Sequence, residues 1–220
     1  KTDYTMAHPG RVSILIPSCD HSSDLRTCVE SIYRKSTYED FEIIVIENNS
    51  KEKATFRCYE QLQKEHKNLK VITWQGTGFN YSALNNFGAK YATGEYLLLL
   101  NNDTEVISSR WIEEMVMYAQ QQRVGCVGAK LLYPDNTIQH AGIGFGFLTL
   151  AAHMHKNFPV GHPGYMGRLV YAQDVYAVTA ACLMVRRSVY EQVNGLDESF
   201  AVAFNDVDFC VRVREAGYTN

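Results

Sequence analysis

The sequence lacks a long apolar run, a dense set of cysteines and an excess of charge of either sign. Its longest apolar-looking segment, residues 141–152, is too short and too rich in glycine to span a bilayer, which takes ~20 residues. The 6 cysteines are scattered without a CxxC pair, which argues against a zinc site and a disulfide scaffold and favours a reducing compartment. A formal net charge of -3 gives no electrostatic reason to expect a nucleic-acid partner. We therefore expect no transmembrane helix, no signal peptide and no nucleic-acid partner.

The 220 residues are enough for one large domain or two small ones, and one domain is the better interpretation. The chain begins without methionine and stops soon after a helix-like segment, so we interpret it as part of a longer protein. Residues 1–10 are then a flank, and residues 11–220 a domain that is truncated at its C-terminal end. The absent flanks are where a targeting signal would lie.

Short apolar runs alternate with helix-like segments in the first half of the chain. The predicted strands are residues 11–17, 41–47, 69–74 and 95–100, and the helix after the last of them is residues 110–122. The third helix is expected to end on a glycine cap at Gly94. Such alternation predicts an α/β fold, in which helices cover both faces of a mostly parallel sheet.

Beyond Val124 this rhythm loosens, and the second half is interpreted as an elaboration of the same sheet. Residues 147–168 are rich in Gly, His and Pro without a clear period, which fits a mobile lid better than a packed element. A strand is predicted over residues 175–187 and a final helix over about residues 206–216.

Polar side chains follow each predicted strand of the first half. Ligands of an open parallel sheet bind outside the carboxyl ends of its strands, so we expect these side chains to form one polar rim. They are Ser18 and Asp20 after the first strand, Glu47, Asn48 and Asn49 after the second, residues 76–80 after the third, and Asn101, Asn102 and Asp103 after the fourth.

Asp103 has two interpretations of equal weight. A divalent cation that bridges two phosphates needs a hard oxygen ligand, and one carboxylate suffices when the substrate supplies the other oxygens. The structural alternative is a turn followed by an N-cap for the next helix, where Asn and Asp are common. Glu47 poses the same choice, and its position at a strand end slightly favours contact with a ribose or a base. Asn80 either belongs to the rim or caps the helix that follows it.

Two acidic residues, Asp206 and Asp208, open the last helix, where carboxylates interact favourably with the helix dipole. The functional alternative is a general base, which requires one of the two to face a cleft while the other stabilises the helix. The GxG at residues 76–78 lacks the third glycine of a dinucleotide fingerprint, so a dehydrogenase is disfavoured.

The second half of the chain also contains histidine and arginine residues that are candidates for a functional site. The histidines have no cysteine or acidic partners at zinc-ligand spacing, so a surface position or contact with an acceptor is favoured over a metal site. Arg186 and Arg187 follow the last predicted strand, where solvent exposure is the safer interpretation and phosphate contact the alternative. The histidines in question are His140, His153, His155 and His162.

Five motifs occur in an order that resembles the family 2 inverting glycosyltransferases. The motifs are VSILIPSCD, FEIIVIENNS, NYSALNNFGAKYATGEYLLLLNNDTEV, AACLMVRRSVYEQVNGLDESF and FNDVDFCVRVREAGY. The resemblance runs from about Arg11 to the end of the chain and is strongest to bacterial enzymes of the rhamnosyltransferase and galactofuranosyltransferase type, which build surface polysaccharides. It implies a GT-A fold, with a nucleotide-binding half over about residues 11–122 and an acceptor-binding half over about residues 123–220.

The resemblance also implies roles for residues at the strand ends. Pro17, Ser18 and Asp20 match the loop beside the nucleotide base. Glu47 matches an aspartate that contacts the base or ribose, and Asn86 matches an asparagine of the helix that closes over the nucleotide. The full set of donor-binding candidates is Pro17, Ser18, Asp20, Glu47, Asn49, Asn80, Asn86, Asn101, Asn102 and Asp103.

Asn101, Asn102 and Asp103 match the DxD motif of that family, which implies that Asp103 is the ligand of a Mg²⁺ or Mn²⁺ ion. Asp206 matches the catalytic base of the "ED" motif, which is "ND" in this chain. Because Asn101 and Asn205 replace acids, and Glu47 replaces the usual Asp, we expect weaker metal affinity than the fuller motif would give.

The implied reaction is metal-dependent, inverting transfer of a hexose or deoxyhexose from a nucleotide-diphosphate sugar to a glycan or lipid-linked glycan acceptor. The implied location is the cytoplasm, with peripheral association at the inner face of the membrane through the flanks as an alternative. A non-catalytic domain that binds sugar nucleotides or glycans is the rival interpretation. A nucleotidyltransferase is disfavoured, since the loop after the first strand has neither a glycine-rich stretch nor basic residues.

Overall fold

A computed structural model describes residues 5–6, 9–146 and 150–220 of the chain. Its strands are β1 (Val12–Ser18), β2 (Phe41–Glu47), β3 (Leu69–Thr73), β4 (Tyr96–Leu100), β5 (Cys126–Gly128), β6 (Leu131–Leu132), β7 (Ile138–His140), β8 (Ile143–Gly144), β9 (Ala152–His153) and β10 (Cys182–Arg186). Its α-helices are α1 (Ser22–Lys35), α2 (Lys53–Glu65), α3 (Tyr81–Ala89), α4 (Trp111–Ala119), α5 (Arg187–Gln192) and α6 (Asn205–Glu215), with a 3-10 helix at Tyr165–Gly167. None of the helices in the described part is long and apolar enough to cross a bilayer.

Six strands form the central sheet in the order β3-β2-β1-β4-β10-β5. The pairs among β1, β2, β3 and β4 are parallel, whereas β10 runs antiparallel to both β4 and β5. In register, Ser18 pairs with Glu47, and Glu47 pairs with Thr73. The carboxyl ends of the first three strands are therefore level and share one edge of the sheet.

Helices cover both faces of this sheet, which explains why β1 and β2 are buried at every position. Successive side chains of a strand point to opposite faces, so Ile14 and Ile16 pack against α1, α2 and α4, while Leu15 packs against α3, α5 and α6. The six cysteines are free thiols, and all except Cys19 are buried. The predicted α/β fold, with a mostly parallel sheet between helices, is confirmed.

The predicted glycine cap at Gly94 is wrong, because α3 ends at Ala89. Gly94 lies instead against the start of β1, where its N–H donates to Ser13 Oγ at 2.8 Å. A Cβ at this position would lie 2.5 Å from the carbonyl oxygen of Arg11. The glycine is thus required by close backbone approach rather than by a helix end.

The strand predicted over residues 175–187 is shorter and begins only at Cys182. Because β10 is antiparallel, its last residue, Arg186, pairs with Tyr96 at the start of β4. Arg186 donates there to the carbonyl oxygens of Gln122 and Val124, both at 2.9 Å. Arg186 therefore lies at the edge opposite the polar rim, which excludes contact with a phosphate bound at that rim.

The segment predicted to be a lid is partly paired with β7 and its flanks. Residues 147–149 of that prediction lie outside the described residues. In the described remainder, the N–H of Asn157 donates to Ile138 O and the N–H of Ile138 donates to Phe158 O, both at 2.8 Å. Tyr165 and Met166 beyond this pairing are 72% and 77% exposed. Mobility of the segment stays a prediction.

Glu42 in β2 is a buried carboxylate that joins three parts of the sheet. It is 5% exposed and accepts hydrogen bonds from Ser13 Oγ at 2.7 Å, from Thr93 N at 2.6 Å and from Thr93 Oγ1 at 2.7 Å. Lys70 Nζ lies 3.1 Å from its second oxygen. Burial raises the pKa of Glu42, but the hydrogen bonds from Thr93, Ser13 and Lys70 outweigh it and lower the pKa from 4.5 to about 2.

Glu42→Gln is expected to lower the free energy of unfolding at pH 7 by about 1–3 kcal/mol, because charge-assisted hydrogen bonds are lost within the sheet. A carboxyl whose pKa is depressed on folding stabilises the folded state above its unfolded pKa of 4.5, and this contribution is lost as the pH falls through about 2. Urea unfolding from pH 7 to pH 2 should therefore show the two proteins converging in acid. Glu39→Gln, at an exposed position, is the control, and a stability difference independent of pH would contradict the assignment.

Candidate active site

The polar rim predicted from the sequence exists, and one further segment contributes to it. Because β10 is antiparallel, its first residue, Cys182, pairs with Leu100 at the end of β4. The residues just before Cys182 therefore lie beside the carboxyl ends of the parallel strands. The N–H of Asn101 donates to the carbonyl oxygen of Ala181 at 3.1 Å, which joins this segment to the turn after β4.

Asp103 lies in the turn after β4, but other residues stabilise that turn. Thr104 Oγ1 donates to Asn101 O at 2.9 Å, and Cys28 Sγ of α1 lies 3.5 Å from Thr104 Oγ1, so neighbouring residues fix the turn. The cap alternative for Asp103 is not found, because α4 begins only at Trp111. The Asp103 side chain is exposed and has no hydrogen-bond or ion-pair partner among the described residues.

This donor set fits a divalent cation that takes most of its ligands from substrate and water. In the described part of the chain, the one group of three potential metal ligands within 4.8 Å of one another is Glu30, Glu65 and His66, which belongs to α1 and the end of α2. Asp103 therefore offers a single carboxylate, as Mg²⁺ sites on nucleotide phosphates commonly use. Asn101 and Asn102 flank the position, and both are partly exposed.

Asp20 and Glu47 shape the loops after β1 and β2. Asp20 accepts hydrogen bonds from the N–H of Glu52 at 2.9 Å and of Lys51 at 3.0 Å, so its carboxylate satisfies donors at the start of α2. The hydrogen bond from Glu52 is the main cause that lowers the pKa of Asp20. Glu47 is buried and accepts from the N–H of Ser50 at 2.6 Å. Both acids hold the loops that line the rim.

Pro17 and Ser18 end β1 as fully buried residues. Ser18 is buried, and its side chain lies beside the hydroxyl of Tyr59 in α2. Its place at a strand end agrees with the nucleotide-facing role that the resemblance implies for Ser18.

Asn49 and Asn80 have local structural partners. Asn49 adopts a positive φ of 56°, and its Nδ2 donates to Gly76 O at 3.1 Å, which connects the loops after β2 and β3. Asn80 caps α3, since its Oδ1 accepts from the N–H of Ala83 at 3.0 Å. Of the two interpretations of Asn80, the helix cap is therefore the one the structure contains, and a donor contact would have to share that side chain.

Asn86 lies in α3 with its hydrogen-bonding capacity filled. Its Nδ2 donates to Leu196 O at 2.8 Å and to Glu198 Oε1 at 3.0 Å. Its Oδ1 accepts from Tyr190 OH at 2.6 Å and from the N–H of Leu196 at 3.0 Å. The side chain thus holds the loop between α5 and α6, and in this conformation it has no atom left for a nucleotide.

Asp206 and Asp208 have different partners: Asp208 pairs within its own helix, whereas Asp206 contacts a distant segment. Asp208 Oδ2 accepts from Arg212 Nε, and Arg212 Nη2 lies 2.8 Å from the same oxygen, as a pair within α6. Asp206 Oδ1 accepts from the N–H of Val207 at 2.8 Å, and its Oδ2 accepts from the N–H of Ala180 at 3.2 Å. Asp206 is therefore the carboxylate oriented toward the rim.

Asp206 also lines a cavity of about 250 Å³ between the β8–β9 hairpin and the start of α6. Its walls include Ile143 and His153 from the hairpin and residues 202–207 from the other side. His153 Nδ1 lies 2.8 Å from His140 Nδ1. The sequence does not predict this contact, because 13 residues separate the two histidines and a hairpin brings them together.

Comparisons with known proteins agree on one family. A family model described as Glycosyl transferase family 2 matches residues 13–193. An uncharacterized protein of Sinorhizobium fredii is 47% identical over 210 residues, which cover 95% of this chain and 23% of the relative. An O-antigen biosynthesis protein of Myxococcus xanthus is 39% identical over 215 residues, which cover 97% of this chain and 17% of the relative. The chain thus spans less than a quarter of the length of either relative.

A solved structure shows the same fold. The mannosyltransferase from Pyrobaculum calidifontis in complex with GDP-Man and Mn²⁺ matches with a TM-score of 0.71 at 14% identity, over 98% of this chain and 55% of that chain. At this identity the likeness concerns the fold alone. Together with the observed strand order, it confirms the GT-A fold that was expected from the sequence.

Proposed function

The chain belongs to glycosyl transferase family 2, and from this premise we propose that it transfers a sugar from a nucleotide-diphosphate sugar to a glycan or lipid-linked glycan. The transfer is proposed to be metal-dependent and inverting, and to serve the synthesis of a surface polysaccharide. The sugar is proposed to be a hexose or deoxyhexose. The kinship with an O-antigen biosynthesis protein supports this setting. Location in the cytoplasm, or at the inner face of the membrane, stays a prediction.

One observation carries the proposal: a segment of two residues connects both functional acids. Ala181 O accepts from the N–H of Asn101, two residues before Asp103, while Ala180 N–H donates to Asp206. An inverting transfer needs a diphosphate group and an acceptor hydroxyl on either side of one carbon atom. This connection supports the proposal, in which Asp103 acts at the diphosphate end and Asp206 at the acceptor end.

The residues of this chain suit the individual steps of a single displacement. A bound Mg²⁺ or Mn²⁺ ion, held by Asp103, would act as a Lewis acid on the departing diphosphate. Asp206 is proposed to accept the proton of the acceptor hydroxyl as its oxygen bonds to the anomeric carbon and the bond to the diphosphate oxygen breaks. The N–H groups of Val207 and Ala180 each hold one oxygen of Asp206, so the carboxylate keeps its orientation without the substrate.

The donor proposal is tested by thermal unfolding with UDP-, dTDP- and GDP-sugars, each with and without Mn²⁺. A donor at about 100 times its dissociation constant stabilises the folded state by about 2.7 kcal/mol, which raises the melting temperature of a chain of this size by about 5–10 °C. We expect such a shift for one nucleotide class and only with Mn²⁺. Release of the nucleoside diphosphate is then followed over time.

Two other outcomes have definite meanings. A stabilising donor that is neither hydrolysed nor transferred would replace the proposed enzyme with a non-catalytic binding domain of the same fold. Absence of any shift with all three nucleotide classes would contradict donor binding itself.

A further inference from the structure

The pair formed by buried His140 and exposed His153 has a fixed arrangement of protons. His140 is 1% exposed, and its Nε2 accepts from the N–H of Gly142 and the N–H of Thr179, both at 3.3 Å. Backbone N–H groups only donate, so this Nε2 carries no proton. A neutral imidazole has one N–H, which must then be on His140 Nδ1. Burial, with a smaller contribution from His153, lowers the pKa of His140 to about 3, so the neutral form is the one present.

The tautomer of His140 determines that of His153. His140 Nδ1–H points to His153 Nδ1 at 2.8 Å, so His153 Nδ1 accepts and the proton of a neutral His153 is on Nε2. Protonation of His153 would place two N–H groups head to head. Burial also lowers the pKa of His153, Asp206 raises it and Lys156 lowers it further, with a lower pKa as the result. His153 is therefore a neutral side chain that presents a donor.

His153, which carries this donor, lines the cavity described above. His153 is exposed, and its Nε2 has no hydrogen-bond partner among the described residues. The same cavity is lined by Asp206. The hairpin that carries His153 is attached to the segment that orients Asp206, since Ile143 N–H donates to Ala177 O at 2.8 Å and Thr179 N–H donates to His140. The positions of the His153 imidazole and the Asp206 carboxylate are therefore linked through the same backbone contacts.

We propose that His153 is an acceptor-binding residue, whose Nε2–H donates a hydrogen bond to an oxygen of the acceptor sugar in the cavity beside Asp206, and that His140 positions it. The inference rests on the proposed function. It gives the two side chains different roles. His153 only donates a hydrogen bond, so it cannot compete with Asp206 for the proton of the acceptor. A carboxylate that accepts and an imidazole that donates together match a hydroxyl beside a second sugar oxygen.

The proton arrangement is tested without activity. Nitrogen-15 NMR of protein labelled at the histidine rings should show His153 with a protonated Nε2 and an unprotonated Nδ1 throughout pH 6 to 8. His153→Gln identifies its resonances. A protonated Nδ1, or a His153 that becomes cationic within this range, overturns the proposal.

The binding role is tested by comparing transfer to n-octyl glycosides of glucose, mannose and rhamnose with hydrolysis of the donor. In His153→Phe the acceptor KM should rise about threefold to tenfold, as expected for one neutral hydrogen bond, while donor KM and donor hydrolysis stay within about twofold. His153→Gln, which retains an N–H near the position of Nε2, should restore most of the acceptor affinity. His162→Gln, outside the cavity, is the matched control.

The two possible failures differ. A wild-type protein that neither transfers nor hydrolyses any nucleotide sugar overturns the proposed function, and the acceptor role of His153 with it. Normal transfer by the wild type, with an unchanged acceptor KM in His153→Phe, overturns the role of His153 alone.

Discussion

Asp206→Asn is expected to lower the rate of sugar transfer by about 100-fold or more, because a positioned general base contributes about 10²–10⁴-fold and an amide cannot take the proton. The fold should survive, since loss of a favourable charge at the start of a helix costs only ~0.3–1 kcal/mol. Donor affinity should change little, because Asp206 is proposed to act on the acceptor and not to hold the donor. The measurement is transfer to an octyl glycoside with saturating donor, alongside calorimetric titration of the nucleoside diphosphate.

Asp208→Asn is the matched control, two positions further along the same helix. It removes the pair with Arg212, whose guanidinium also donates to Val193 O at 2.6 Å and Gly195 O at 2.8 Å. We expect a loss of stability of about 1 kcal/mol or less, as for other partly exposed ion pairs, and transfer within about threefold of the wild type. Equal loss of transfer in both variants, or a near-normal rate in Asp206→Asn, would remove Asp206 from the mechanism.

Asp103→Ala is expected to abolish the part of nucleoside-diphosphate affinity that depends on Mn²⁺. Asp103 has no partner among the described residues, so its removal should leave the fold and its stability unchanged. With the cation no longer held by the protein, affinity in Mn²⁺ should fall by about 10-fold to 100-fold, the range for one charged contact, to the value seen without metal. Calorimetric titration with and without Mn²⁺ measures this directly.

Glu105→Ala controls for loss of negative charge near the rim. Glu105 is an exposed carboxylate two residues away, but it pairs with Lys35 at 3.0 Å and is directed toward α1. Its removal should leave the metal dependence intact. If Asp103→Ala keeps the metal dependence of the wild type, Asp103 is not the ligand.

The strand ends could be predicted from the sequence because local pattern determines them. Buried runs such as β2 and β4 stop at polar residues, and parallel strands have their carboxyl ends at one edge, so the amino-acid pattern alone predicts that Glu47 and Asp103 share that edge. Asp206, by contrast, is predicted as the base only by resemblance. Arg212, four residues after Asp208, is a local sign that Asp208 pairs within its helix, but the contact that orients Asp206 comes from the distant Ala180 N–H.

What could not be predicted depends on contacts between distant residues. The amino-acid composition of β10 does not reveal that the strand is antiparallel. This direction nevertheless places Arg186 away from the rim and Ala180 at the rim. His140 and His153 meet only because β8 and β9 pair. Asn86 matches a family position, but its partners, Tyr190 and Leu196, lie more than 100 residues away.

The pairing of β5 with β10 has an evolutionary consequence. Gly128 pairs with Leu183, and Ala129 N–H donates to Cys182 O at 3.3 Å, so residues 129–181 leave the sheet and return to it at neighbouring points. The exposed parts of this excursion can change in length and sequence while the register of the sheet stays fixed. Under the proposed function, it carries His140, His153 and the residues that orient Asp206, but not Asp103. Variation in its exposed parts would therefore alter the proposed acceptor side while Asp103 and the strand ends around it stay unchanged.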